Sequence, residues 1–250
     1  MNLSKSIIKQ INSLEMKKYR KESGLFVAEG TKIVCDNINS MRCEFLIATE
    51  QWRLENPDMA SFVKYTASKD EMSKISFLKT PQEVIGVFEI PHYTLNIEEL
   101  KDKLTLVLDT VQDPGNLGTI IRIADWFGIE NIVCSPASAD CYAPKVVQAT
   151  MGAVSRVKVH YRDLCEFLKE MEGCNIFGTF LDGENIYKKT LPQTGLIIMG
   201  NEGKGISDEV ARFVNERLFI PNFPQDRETS ESLNVAVATS IICSEFRRSM

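Results

Sequence analysis

Three stretches of the 250-residue chain place polar side chains of chemical interest directly behind apolar runs. The first is DPGNLGTIIR (113–122), behind LTLVLD (104–109). Asn116 lies in its turn, and Arg122 sits among Ile120, Ile121 and Ile123 at the start of a helical pattern. A guanidinium in that setting must snorkel to water, pair with a carboxylate or bind a ligand. The second is GNEGKGIS (200–207), behind LIIM. Gly200, Gly203 and Gly205 let the backbone approach a partner closely, or take positive φ, around Asn201 and Glu202. The third is IPNFPQDRETSESLNVAVATS (220–240). Ser230 or Ser232 is placed to cap the last helix, and Asn234 interrupts an apolar helical run. An amide there needs a hydrogen-bond partner if it is buried.

Other chemistries lack their residues. The spacing GxxxxGK[ST] is absent and no GxGxxG follows a strand, so neither an ATP loop nor a dinucleotide fold is supported. The seven cysteines (35, 43, 134, 141, 165, 174 and 243) form no CxxC, and His92 and His160 are the only histidines. Buried reduced thiols are expected, with no disulfide framework and no metal.

The elements that must position these loops follow from patterning. Strand-like and helical segments alternate throughout, which predicts an α/β protein. Strands are expected at 43–49, 63–67 and 83–90, then at 104–109, 129–134, 157–161, 175–181, 195–200 and 217–222. The near-continuous apolar runs of the second half predict a parallel sheet covered on both faces. In such sheets ligands bind beyond the carboxyl ends of the strands, where the three loops fall. The first 30 residues read as a helix followed by LFVAEG, and the polar stretch 91–103 reads as a linker. A helix is expected over 119–128, ended by Gly128, and a final one from about Ser232 to Arg247.

Composition sets outer bounds. Hydrophobic residues at 44% and charged residues at 25% are ordinary for a folded globular chain. No apolar run approaches the roughly 18 residues of a membrane span. The N-terminus has no apolar core of a secretory signal, so a cytoplasmic location is expected. The net charge of −5 argues against indiscriminate nucleic-acid binding. Residues 1–32 nonetheless carry seven basic against three acidic side chains. The run KKYRK has two readings: a solvated helix face, or a phosphate-contacting patch of Lys17, Lys18, Arg20 and Lys21 around Tyr19.

Taken in order, DPGNLGTIIRIADWFG, IIMGNEGKGIS and IPNFPQDRETSESLNVAVA resemble the three signature motifs of the SpoU-type RNA 2′-O-ribose methyltransferases. These belong to the TrmH-like enzymes of the SPOUT superfamily. The resemblance spans residues 104–250, while residues 1–95 resemble the smaller RNA-binding domain, of L30e type, that many members carry. It implies an S-adenosylmethionine-dependent enzyme with a trefoil-knotted α/β domain. It also implies a homodimer with its active site at or near the subunit interface. Carried over by position, Asn116, Arg122, Glu202, Ser232 and Asn234 are the implied catalytic set. Gly200, Asn201, Gly203, Gly205, Ile220 and Leu233 are the implied cofactor contacts. The motif-three loop is about four residues longer than the common pattern, which leaves Ser230 as a rival to Ser232.

The implied reaction moves a methyl group from a sulfonium donor to a ribose 2′-oxygen, with ribosomal RNA favoured over tRNA. A guanidinium stays protonated, so Arg122 is expected to clamp a phosphate and stabilise the developing alkoxide rather than act as a base. The alternative left open is a non-catalytic RNA-binding protein that keeps the fold.

Overall fold

The stretch ahead of LFVAEG, expected as one helix, folds as two in the computed structural model, which describes residues 3–224, 227–228 and 232–248. Helix α1 (Lys5–Ser13) and helix α2 (Lys17–Ser23) are separated by a turn. Arg20 accounts for the break. Its Nη1 donates to the carbonyls of Leu14 and Glu15, each at 2.7 Å. A continuous helix would commit those oxygens to amides four residues on.

The chain continues through β1 (Leu25–Glu29), α3 (Thr31–Ile38), β2 (Cys43–Ala48), α4 (Glu50–Glu55), β3 (Val63–Thr66), α5 (Lys69–Ile75) and β4 (Val84–Glu89). These strands form one sheet in the order β1-β4-β2-β3, with β2 and β3 parallel and the other pairs antiparallel. Ile11, Val27, Phe45, Ile47, Met72 and Ile85 form the core between this sheet and the helices.

The stretch read as a linker contains a short helix, α6 (Ile97–Lys101), capped by the Asn96 side chain. Then come β5 (Leu104–Leu108), α7 (Pro114–Trp126), β6 (Asn131–Cys134), α8 (Pro144–Thr150), β7 (Lys158–Tyr161), α9 (Leu164–Glu170), β8 (Ile176–Asn185), β9 (Gly195–Met199), α10 (Asp208–Ala211), β10 (Glu216–Phe219) and α11 (Val235–Arg248). The chain divides into two compact units. One is Met1–His92 with Asp140–Arg156, so α8 packs on β1. The other is Tyr93–Ala139 with Val157–Met250.

In the second unit all six strands are parallel, in the order β10-β8-β9-β5-β6-β7. Every residue of β5, β6 and β9 is buried, as a sheet covered on both faces requires. Val107, Val133, Leu196 and Ile198 pack against Leu164, Phe167 and Leu168 of α9 and Val210 of α10. On the opposite face Phe177 meets Phe246 of α11 edge-on, with ring centroids 4.9 Å apart. Each such fully buried aliphatic or aromatic side chain contributes roughly 1.5–3 kcal/mol.

Helix α7 begins five residues earlier than the apolar spacing suggests. Asp113 caps it by accepting from the Asn116 amide at 2.8 Å, and Pro114 supplies the fixed φ of a first helical position. Asn116 therefore lies in the first turn of the helix and not in a preceding loop. Leu117, Ile120, Ile121 and Ala124 face the core, and α11 packs alongside. Arg247 near the end of α11 holds the two in register. Its Nε donates to the Phe127 carbonyl at 3.0 Å and its Nη1 to Gln193 at 3.1 Å, placing a cation at the carbonyl end of α7.

No helix among the described residues is long and apolar enough to cross a membrane. Among them the cysteines are free, and burial pushes the Cys243 thiol up to about 12.

Candidate active site

The three loops singled out above follow β5, β9 and β10, whose carboxyl ends share one edge of the parallel sheet. Strand β9 pairs with β5, although 86 residues separate the side chains that meet beyond them.

Motif two closes on itself immediately after β9. Asn201 and Gly205 exchange backbone hydrogen bonds, each 2.9 Å. Inside that turn Asn201 Oδ1 accepts from the amides of Gly203 at 3.0 Å and Lys204 at 3.1 Å. A Cβ on Gly200 would lie 2.2 Å from the Gly205 carbonyl carbon and 2.3 Å from the Ile206 nitrogen. Only glycine allows the loop to fold back so closely. Gly205 has φ +71, and no atom lies within 4 Å of where its Cβ would be. The loop thus presents bare backbone to open space, with Glu202 exposed at its tip.

Motif three is organised by Asn234. Its Oδ1 accepts from the amides of Ala236 at 3.0 Å and Val237 at 3.3 Å, so it caps α11. The cap expected from Ser230 or Ser232 is therefore supplied by Asn234. Ser232 is exposed two residues before it, and Ser230 lies outside the described residues. The amide of Asn234 is exposed and not buried, yet it is partnered.

Those capping bonds fix which way Asn234 points. With its oxygen turned to the helix, its Nδ2 faces Asn116 and donates to Oδ1 at 2.9 Å. Asn116 must then turn its own Nδ2 outward, where it donates to Glu202 Oε1 at 2.9 Å. Three motifs are joined in one directional chain, Asn234 to Asn116 to Glu202, ending on a carboxylate. The two links span 118 and 86 residues of sequence.

Arg122 lies outside that chain of bonds. It is exposed on α7 and makes no hydrogen bond or ion pair among the described residues. Trp126, one turn further on, is 84% exposed. Leu233 is 48% exposed and Ile220 half-buried, so both offer apolar surface next to motif-three backbone.

Sequence reasoning missed Asp109 and Thr110. Asp109, read as the last residue of a strand, accepts from the Ser207 amide at 2.8 Å and hydroxyl at 2.7 Å. The Thr110 carbonyl accepts from Asn201 Nδ2 at 2.8 Å. The available signal was a carboxylate ending an otherwise apolar run.

The basic run of α2 divides. Lys17, Lys18 and Lys21 are exposed. Arg20 is 3% exposed, and the expectation that it contacts phosphate is corrected. Its Nε and Nη2 donate to Asp140 Oδ2 at 3.2 and 2.6 Å, while Nη1 serves the two carbonyls described above. The spacing of the run hides this, because α2 turns one of its four cations inward. No group of three or more metal-ligating side chains occurs among the described residues.

Comparison with known proteins shows the family. Residues 103–244 match the SpoU rRNA Methylase family, and residues 5–86 match the MRM3-like substrate binding domain. The chain belongs to the SpoU rRNA methylase family. It is 30% identical over 245 residues to the 23S rRNA (guanosine(2553)-2′-O)-methyltransferase RlmP of Bacillus subtilis, covering 96% of this chain and 95% of that one. It is similar in structure to a TrmH-family protein of Porphyromonas gingivalis, at TM-score 0.85 and 38% identity, with 100% of both chains covered. It is also similar to an AdoMet-bound rRNA methyltransferase from Sinorhizobium meliloti, at TM-score 0.85 and 29% identity, covering 100% of this chain and 97% of that one.

Proposed function

We propose that this protein is an RNA 2′-O-ribose methyltransferase that uses S-adenosylmethionine and acts on ribosomal RNA. The observation that carries the reading is the Asn234–Asn116–Glu202 chain, which gathers three distant motifs at one sheet edge. The relatives named for 23S rRNA methylation and the AdoMet-bound neighbour support the substrate and the cofactor.

The residues present fit a nucleoside cofactor. Gly203 and Gly205 leave backbone uncovered, and Leu233 and Ile220 supply apolar surface for a purine. When bound, S-adenosylmethionine supplies an activated methyl group on a sulfonium. The chain supplies orientation and charge. Gly200, Asn201, Gly203 and Gly205 shape the loop, and Ile220 and Leu233 would supply the apolar contacts from motif three. Arg122, unpartnered among the described residues, would clamp the phosphate beside the target ribose and stabilise the alkoxide that develops as the 2′-hydroxyl passes its proton to that phosphate or to water. Asn116, Glu202 and Asn234 orient ribose and cofactor, and Ser232 completes motif three. Mapping 2′-O-methyl positions in ribosomal RNA from cells with and without the protein tests the reading. An unchanged map, together with no heat of S-adenosylmethionine binding, returns the chain to an RNA-binding role without catalysis.

RNA capture falls, in this reading, to the first unit, Met1–His92 with Asp140–Arg156. That unit carries 15 basic and 13 acidic side chains, whereas the methylase unit carries 14 and 21. Replacing Lys17, Lys18 and Lys21 together by Gln is expected to weaken RNA binding. The slope of log affinity against log salt should become shallower by about 2, at roughly 0.7 per phosphate contact for single strands. Filter binding across a salt series reads this directly, and an unaltered slope makes these lysines a solvated face only.

The homodimer, the trefoil knot and a cytoplasmic location belong to the same proposal. Trp126 and Arg122 share one exposed stripe of α7, and Val237 adds exposed apolar surface on the adjacent α11. Trp126→Glu is expected to yield monomers in sedimentation experiments and to lower methyl transfer. A dimer that survives this change places the interface elsewhere. The position of β9 between β5 and β8, both earlier in the chain, supports the knot.

A further inference from the structure

We propose that Asp109 and Thr110 are positioning residues that hold both ends of the motif-two loop and thereby set its affinity for the cofactor. This rests on the reading above that the loop belongs to an S-adenosylmethionine site.

Asp109 and Thr110 are the first two residues past β5. Asp109 is 5% exposed, and its two oxygens are both engaged. Oδ2 accepts from the Ser207 amide and hydroxyl, and Oδ1 accepts from Thr110 Oγ1 at 3.0 Å. Thr110 has φ +60, in the left-handed region that β-branched residues rarely enter. A strained residue persists only where its surroundings over-determine it. Here they do. The Thr110 amide donates to Ser135 Oγ at 2.9 Å, the hydroxyl to Asp109, and the carbonyl accepts from Asn201. The Ser135 hydroxyl is itself hydrogen-bonded to Ser138 Oγ at 3.1 Å in a buried setting.

Asn201 opens the motif-two loop and Ser207 closes it. Two consecutive residues therefore grip the loop at its start, through the Thr110 carbonyl, and at its end, through the Asp109 carboxylate. Between these points lie Glu202, which must meet Asn116, and the bare backbone of Gly203 and Gly205. An extended Thr110 would aim its carbonyl away from Asn201. The left-handed backbone thus ties the turn that leads to Asn116 to the loop that carries Glu202. Neither residue needs to touch a ligand to do this.

Three variants and a rescue test the proposal. Titration calorimetry with S-adenosylmethionine gives the dissociation constant. Hydrogen exchange of the 201–207 amides in the cofactor-free protein gives loop rigidity without reference to activity. Asp109→Ala removes bonds to a charged acceptor and is expected to raise the dissociation constant about tenfold or more, with faster loop exchange. Ser207→Ala removes one of those bonds from an exposed residue, so it folds whatever Asp109→Ala does. Its expected change is about threefold. Thr110→Val loses the hydroxyl and weakens binding, and Thr110→Ser, which keeps it, restores affinity. RNA affinity stays constant throughout. Wild-type cofactor affinity in both Ser207→Ala and Thr110→Val overturns the proposal, as does a loss of affinity with unaltered loop exchange. If the unaltered protein binds no S-adenosylmethionine, the functional reading fails, and the exchange data still decide whether the grip exists.

Discussion

Arg122→Ala is expected to reduce methyl transfer by about two to three orders of magnitude, the usual consequence of removing a donor from a developing oxyanion. Arg122 is exposed and makes no hydrogen bond or ion pair among the described residues, so its replacement leaves no buried group behind there. Stability should stay within about 0.5 kcal/mol of the parent. Cofactor affinity should also hold, because the motif-two and motif-three residues proposed to hold the cofactor are untouched. The loss then falls on the chemical step. Single-turnover methylation at saturating S-adenosylmethionine and RNA isolates that step. Arg122→Lys separates charge from shape. An ammonium keeps the charge but cannot offer the planar pair of donors that fits a phosphate. It should recover only part of the rate. Full activity in Arg122→Ala would remove this residue from the chemistry and leave Glu202 as the charged member of the Asn234–Asn116–Glu202 chain.

Arg20→Ala should have the largest effect on folding. The guanidinium is 3% exposed and bonds to Asp140 Oδ2 and to two main-chain carbonyls. Truncation leaves the half-buried Asp140 carboxylate without its counter-charge and the carbonyls of Leu14 and Glu15 without that donor. Breaking a buried pair from one side typically costs about 3–5 kcal/mol. In a unit of this size each kcal/mol lowers the melting temperature by roughly 4–8 °C. A fall well above 10 °C is therefore expected by calorimetry. Arg20→Ala combined with Asp140→Ala should be less destabilised than the sum of the two single changes, since neither charge is then stranded. Strict additivity would mean that the pair does not interact. Lys18→Gln, two residues away on the exposed side, should leave the melting temperature nearly unchanged. That contrast distinguishes a structural cation from a binding one within a single run.

Much of the candidate site is legible in the sequence. Residue type and position at strand ends pointed to Asn116, Glu202 and Asn234, and the resemblance placed them in one family. Their joining was not legible. Nothing in the local pattern around Asn116 says that its amide donates to a carboxylate 86 residues later while its oxygen accepts from an amide 118 residues later. The cap of α11 was assigned to a serine because Ser precedes the apolar run, yet the helix starts three residues later and Asn234 takes that place. Likewise α7 was expected from Thr119, since periodicity reports only the buried stripe. The capping Asp113 and the residues from Pro114 to Asn116 lie outside that stripe, which begins at Leu117.

What the amino-acid order determined by itself is what short-range physics controls. Apolar runs specify buried parallel strands, glycine and proline mark the turns, and helical spacing specifies the packed faces of α7 and α11. What only the tertiary structure decided is partnership. The insertion of β9 beside β5 chose which loops meet, and the inward face of α2 turned Arg20 from a surface cation into a buried one. The same folding gave the 140–156 segment to the first unit. Such outcomes depend on strand order and on which polar groups are left to satisfy one another once water is excluded. Those are properties of the whole folded chain, and a local window of sequence does not contain them.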